Sequence, residues 1–227
     1  MIKVDCALVL RVEEFMESSL IITALSQRGG LIKLVAKGAQ RLKSPLRMSF
    51  QLFSLSEFIF YYKTDRELNI LKEGKILEVF DHLPENYNKF SLVSTISSYI
   101  IKSVPQEAGE DIYTDTVNFF RFVNKANTLN QDLYNFFVIR NLMRQGEIPY
   151  FNACGRCGNE PIEFFLPSKK IAVCKNCIKE GEDTGIAIDR GTTSEIKFVL
   201  EKNWQEINAL SIRDKTREVF GVLLREQ

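Results

Sequence analysis

Ser19–Ala36 reads SLIITALSQRGGLIKLVA, two runs rich in β-formers around a Gly29-Gly30 doublet. Branched and aliphatic side chains suit a pleated backbone, and glycine supplies the positive φ that a tight hairpin turn needs. The stretch therefore predicts antiparallel strands over Ser19–Leu25 and Leu31–Ala36. Upstream, Ile2, Val4, Cys6, Leu8 and Leu10 recur with period two, the pattern of a strand with one buried face. Cys6 is expected on that inward face as a small buried hydrophobe. Downstream, Phe50–Tyr62 and Leu68–Phe80 read as two more strands joined by a polar turn at Thr64-Asp65-Arg66, with Gly74 a bulge or break. Phe58, Phe60 and Tyr62 share one face. Alternating aromatics of this kind point to core for Phe58 and Phe60, whereas Tyr61 and Tyr62 fit either core or a base-stacking surface. Five strands with tight connections fit a small Greek-key barrel of the OB type, with an SH3-like barrel as the nearest rival.

Beyond residue 86 the period becomes helical. Phe90, Val93, Ile96, Ile100 and Val104 recur at spacings of three and four, and Pro105 stops the run. A second helix is expected over Asp111–Lys125. A third runs from about Asp132 to Gly146, ahead of Pro149. Ser194 and Glu195 open a fourth through Lys202, and Asp214–Arg225 forms the last. The expected fold class is α+β: an N-terminal OB-type barrel over residues 1–80, then an α-helical domain over 81–227, interrupted at 150–180 by a four-cysteine zinc-ribbon element.

Composition narrows the function classes. The chain has 227 residues, 45% hydrophobic and 26% charged, the profile of a globular protein. No apolar run approaches the ~18 residues of a membrane span, and the N-terminus lacks a signal-peptide pattern, so a cytoplasmic protein is expected. The single histidine, His82, excludes an HExxH site or any multi-histidine metal centre. Lying in Asp81-His82-Leu83-Pro84, it reads as part of a surface connector. GxSxG and GxxxxGK[ST] segments are absent, so neither a serine-hydrolase elbow nor a nucleotide-binding P-loop is present. No catalytic residue is expected.

Cys154-x2-Cys157 and Cys174-x2-Cys177 are separated by sixteen residues. Each CxxC pair can form a knuckle that turns both sulfurs toward one ion, and two knuckles complete a tetrahedral site. Gly155 and Gly158 supply small residues for the first turn, and Asn176 does so for the second. The intervening loop accommodates a hairpin: Ile162–Leu166, a turn near Pro167-Ser168, then Lys170–Val173. One structural Zn2+ is expected; an iron–sulfur cluster accepts the same donors. Four thiolates leave no position open for water, so such a site braces the fold rather than performing chemistry.

The net charge is only +1, yet Arg28, Lys33, Lys37, Arg41, Lys43 and Arg47 fall in a twenty-residue stretch without one acidic residue. Local charge of this kind attracts phosphate even on a near-neutral molecule. All six are candidate DNA-binding residues. A competing reading makes the chain a nucleic-acid-modifying enzyme, with Glu13, Glu14 and Glu17 holding a divalent metal and the four-cysteine ribbon recognising substrate. A third makes it a protein-binding scaffold whose barrel binds nothing.

Several segments resemble the bacterial RecO family of recombination mediators. They are Leu8-Val9-Leu10-Arg11-Val12, Glu17-Ser18, Gly29-Gly30, and Val35-Ala36-Lys37-Gly38-Ala39-Gln40-Arg41-Leu42-Lys43-Ser44. Gly146-Glu147-Ile148-Pro149-Tyr150-Phe151, leading into the cysteine quartet, is similar to that family's zinc element. Two departures stand out. Gln40 replaces one arginine of a common double-arginine, and Lys170-Ile171 occupies a place where Gly-Gly often precedes the third cysteine. Some members lack the cysteines altogether, so the metal is not itself the function. The resemblance implies a non-enzymatic protein, bacterial and nucleoid-associated, that binds single- and double-stranded DNA and anneals complementary strands. It also implies partnership with RecR and with single-stranded-DNA-binding protein in loading RecA, and neither a membrane nor a small-molecule substrate.

Overall fold

The computed structural model describes residues 1–28, 30–63, 67–104, 109–148, 151–179 and 185–225. Gly29, the Thr64-Asp65-Arg66 turn, Pro105 and Pro149-Tyr150 lie outside these. The chain forms two compact units, Met1–Asn127 and Thr128–Gln227.

In the first unit, β1 (Ile2–Phe15), β2 (Ser19–Ser26), β3 (Gly30–Ala36), β4 (Ser54–Tyr61) and β5 (Leu68–Val79) close a barrel in the order β1-β2-β3-β5-β4. All pairings are antiparallel except β3 with β5, which run parallel through Lys33–Leu68, Leu34–Asn69 and Val35–Ile70. This five-stranded order with a parallel closure is the OB arrangement. The interior is filled by Ala7, Val9, Ile22, Ala24, Leu34, Phe58, Phe60 and Leu71. Phe58 and Phe60 are core residues, as their alternation predicts, and truncating either to alanine removes about 3–5 kcal/mol.

The face of β1 differs from expectation. Ala7 and Val9 point into the barrel, whereas Leu8 and Leu10 are buried outside that interior core and Ile2 and Val4 are exposed. Cys6 is only half-buried. The middle of β1 is covered on both sides, because α2 (Tyr87–Ser103) packs on this strand. A strand apolar on both faces carries no usable period-two signal, and a one-residue slip exchanges the faces. Gly74 is not itself the irregularity: it pairs with Phe58, while the ladder slips on either side of it, opposite Leu55/Ser56 and Ile59/Phe60. A side chain there would be crowded. A Cβ there would lie 3.0 Å from Ser49 Cβ and 3.1 Å from Phe58 Cδ1.

Three helices complete this unit: α1 (His82–Glu85), α2, and α3 (Glu110–Lys125). His82 opens a one-turn helix rather than a connector, because Pro84 sits within the first turn, where its missing N–H is not required. Its Nδ1 lies 3.0 Å from Glu85 Oε2 on the surface. Asn86 caps α2, its Oδ1 accepting from the backbone N–H of Asn88 and Lys89 at 3.0 and 3.2 Å. Phe53 meets Phe90 and Phe120 edge-on at 5.6 and 5.8 Å, and Arg121 reaches Glu78 at 2.7 Å, tying α3 to β5.

The second unit contains α4 (Leu133–Arg144), β6 (Phe164–Leu166), β7 (Ile171–Val173), β8 (Ile186–Ala187), α5 (Arg190–Glu201), α6 (Trp204–Asn208) and α7 (Asp214–Arg225). The small sheet has the order β7-β6-β8. The helix expected from Ser194 begins at Arg190 instead, because Asp189 caps it by accepting from Thr192 N–H at 2.7 Å. Arg213 grips this end, donating to Asp189 and Glu195 at 2.8 Å each. Its hydrogen bond to Asp189, joined by the Thr192 N–H, holds the Asp189 carboxyl well below the usual range. The guanidinium crosses directly over Gly191, where any Cβ would overlap it. Phe137 stacks on Trp204 at 5.9 Å, and the Arg140 guanidinium lies 4.5 Å from the indole centre.

Gly74→Val should destabilise the first unit by about 1–3 kcal/mol through overpacking against Ser49 and Phe58. Chemical denaturation of the full chain checks this, with Gly109→Ser as a control, since a Cβ at Gly109 meets nothing within 4 Å and serine suits this helix N-cap.

Candidate nucleic-acid interface and metal centre

The loop after β3 folds against the barrel through its own side chains. Ala39, Leu46 and Phe50 insert into the interior core. Backbone bonds fix the path between them: Gln40 N–H to Ser18 O at 3.0 Å, Arg41 N–H to Gly38 O at 3.1 Å, and Ser44 N–H to Arg41 O at 3.0 Å. Ser44 then caps a 3-10 turn over Pro45–Met48, its Oγ accepting from Leu46 N–H at 3.3 Å. With these residues turned inward, the cations of the loop are left facing water. Lys37, Arg41, Lys43 and Arg47 are all exposed, and among the described residues none of the four is in an ion pair.

The six candidate cations therefore separate. Four share the pinned loop. Arg28 is exposed at the β2–β3 turn. Lys33 lies within β3 and pairs with Glu67, whose carboxyl that hydrogen bond holds below its ordinary range. Phe58 and Phe60 present no face to solvent. Tyr61 is 44% exposed, while Tyr62 packs against the barrel core with Lys3 Nζ 3.5 Å from its ring centre. Glu13 and Glu14 are consecutive residues of β1, exposed and alternating in direction, and Glu17 lies in the following turn. They do not converge.

The four cysteines do converge. Cys154, Cys157, Cys174 and Cys177 place their sulfurs within 4.8 Å of one another, a donor set able to hold one metal ion. Each knuckle is closed by backbone hydrogen bonds: Gly158 N–H to Cys154 O at 2.8 Å, and Cys177 N–H to Cys174 O at 3.0 Å. Gly158 takes φ +76°, a conformation that explains a glycine at this point of the turn. Gly155 N–H donates to Ala172 O at 2.8 Å, fastening the first knuckle to β7. Burial opposes ionisation of Cys154. Backbone N–H groups of Cys174, Arg156 and Cys157 directed at its sulfur outweigh that cost and lower the thiol to about 6. Cys177, facing Cys157 and Cys174, is pushed up to about 12. Four thiols crowded this closely do not all ionise until a cation offsets their mutual repulsion. Arg156, which the cysteine spacing does not single out, donates to Cys177 O across the centre.

The barrel, its basic loop, and a helical unit interrupted by an all-cysteine centre define an OB-barrel protein with a metal-binding motif in its helical part. Residues 1–80 match the family model described as Recombination protein O N terminal, and residues 84–226 the one described as Recombination protein O C terminal. The chain belongs to the RecO family, which places it among DNA repair proteins. It is 29% identical to the DNA repair protein RecO of Thermodesulfovibrio yellowstonii over 215 residues, 92% of this chain and 85% of that protein. It is 25% identical to the DNA repair protein RecO of Caldicellulosiruptor saccharolyticus over 96% of this chain and 88% of that protein. For the DNA repair protein RecO of Clostridium novyi the identity is 23% over 96% of this chain and 84% of that protein. Among the described residues no helix is long and apolar enough to cross a membrane.

Lys170 takes φ +49° between the turn at Pro167–Lys169 and β7, at the place where the family pattern leads one to expect a glycine pair. A left-handed conformation costs a residue with a Cβ about 1–2 kcal/mol. Lys170→Gly should stabilise the second unit by about 1 kcal/mol, read as a higher denaturation midpoint.

Proposed function

We propose that this chain is a DNA-binding recombination mediator without enzymatic activity. In this reading Lys37, Arg41, Lys43 and Arg47 hold the phosphate backbone of single- and double-stranded DNA, with Arg28 a further contact at the opposite end of the β2–β3 hairpin and Lys33 a lesser contributor because Glu67 already pairs it. The observation that carries it is four exposed cations, in no ion pair among the described residues, on a loop pinned to the barrel by Ala39, Leu46 and Phe50. A preorganised cationic loop loses little conformational entropy when it meets a polyanion. Phosphate contacts hold any sequence alike, which suits a repair factor acting wherever damage lies. Neutralising two backbones weakens their repulsion and lets complementary strands pair, a process that needs no nucleophile, acid–base pair or nucleotide. Family membership further supports action with RecR in loading RecA onto strands covered by single-stranded-DNA-binding protein, inside the bacterial cytoplasm.

In the same reading Cys154, Cys157, Cys174 and Cys177 hold one Zn2+ as a brace. Four thiolates about 2.3 Å from a tetrahedral zinc stand about 3.8 Å apart, and the Cys157 and Cys174 sulfurs lie 3.7 Å apart. When bound, the ion supplies folding energy to the small sheet.

Four phosphate contacts on a single strand give a slope of log K against log salt of about −3. Lys37→Glu with Arg41→Glu should make that slope shallower by about 1.4 or more and lower affinity by roughly tenfold at least, measured with an unstructured oligonucleotide over a salt series. Unchanged affinity and slope would remove the loop from the interface. Elemental analysis should find about one zinc per chain. Cys174→Ser should lose it, with faster hydrogen exchange over residues 150–180 and an undisturbed barrel. Iron with visible absorption would replace zinc by a cluster.

A further inference from the structure

The pinned loop exposes more than charge. Leu42 is 86% exposed and Met48 81%, and Leu42 is the most exposed large apolar side chain among the described residues. Each is bracketed or flanked by cations, in Arg41-Leu42-Lys43 and Arg47-Met48. Met16, 79% exposed, stands on the β1–β2 turn that the loop touches, since Gln40 N–H bonds Ser18 O and Gly38 N–H bonds Ser19 Oγ at 3.2 Å. A single exposed leucine or methionine is ordinary. Here two stand on one pinned loop, each next to a cation, while neighbouring apolar residues of the same loop are buried. The core is already served by Ala39, Leu46 and Phe50, so Leu42 and Met48 are not core residues displaced by chance.

From this arrangement we infer that Leu42 and Met48 form an apolar wedge that packs against and between nucleobases while the adjacent cations hold the phosphates. The inference rests on the reading of the loop as a DNA-binding surface and extends it from the backbone to the bases. Bases that leave their stack expose flat apolar faces, and leucine and methionine are among the side chains that enter base steps and hold them apart. Interleaved charge favours this ligand: phosphates lie within reach of bases along every strand, so a cation beside an apolar residue matches the spacing of the two parts of a nucleotide. Contact with base faces also tolerates any sequence. A strand held this way presents its bases unstacked, which leaves them free for a complementary strand or a recombinase.

The test uses the full chain and an oligonucleotide carrying 2-aminopurine, whose emission rises when its base unstacks. Wild type should brighten the probe on binding. Leu42→Ser with Met48→Ser should abolish that rise and lower affinity by about tenfold while leaving the salt slope unchanged, because the phosphate contacts remain. Both positions are exposed, so an unchanged melting temperature shows that the variant folds. If the double variant brightens the probe and binds as wild type does, while the Lys37→Glu with Arg41→Glu variant binds poorly, the wedge is wrong and the backbone reading stands. If charge reversal also leaves binding intact, both readings fall together. Loss of binding to phosphatidylglycerol vesicles on removing Leu42 and Met48, with DNA binding retained, would overturn the wedge and assign these side chains to a lipid surface.

Discussion

Ala39, Leu46 and Phe50 reach into the barrel from a loop that forms no strand, and most of what distinguishes this surface follows from that burial. Three apolar insertions in one short loop leave the chain between them little freedom. The 3-10 turn at Pro45–Met48 and the hydrogen bonds to Ser18 and Gly38 remove most of what remains. Lys37, Arg41, Lys43 and Arg47 consequently project from a rigid base. Ser49, at the end of the same segment, comes close enough to β5 that a Cβ at residue 74 would crowd it. Packing of the loop and placement of its charges are thus one event, and a change at Gly74 would be felt by the cations as well as by the core.

The features legible in the sequence are those whose signal is local. The CxxC pairs mark a candidate donor set outright, and Cys154, Cys157, Cys174 and Cys177 lie together as that spacing leads one to expect. Strands around a glycine doublet, and helices with period 3.6 such as Asp214–Arg225, lie where their patterns put them. Other features depend on partners far along the chain. The face of β1 escapes its alternation because α2 packs on the strand and Leu8 and Leu10 are buried outside the barrel interior, making the strand apolar on both sides. Ser194-Glu195 imitates a helix start, yet Asp189 upstream supplies the cap. Trp204–Asn208 is five residues long, too short to show a period, although its Asn203/Glu206 capping box is there to be read. Lys33 looks equal to the other cations in the sequence because Glu67, 34 residues away, becomes its neighbour only when β3 meets β5.

The cysteine centre and the basic loop belong to different compact units and follow different physical rules. The loop is organised by apolar burial and leaves its charges outside. The centre gathers like groups whose ionisation is mutually opposed, and its knuckles are shaped by backbone N–H donors whether or not the thiols are charged. That Lys170 stands in a left-handed conformation beside this centre indicates that the small sheet tolerates a strained corner where glycine would be easier.

Every strand of the barrel has a hydrogen-bonded neighbour on each side, because β3 and β5 close the circle. An open sheet edge beside bare leucine and methionine would invite neighbouring molecules to add strands to one another, the first step toward aggregation. Closure removes that route. Molecules crowded at high density can meet through this end only by side-chain contact, which is weak and reversible, so the barrel can carry a sticky tip and still remain colloidally well behaved.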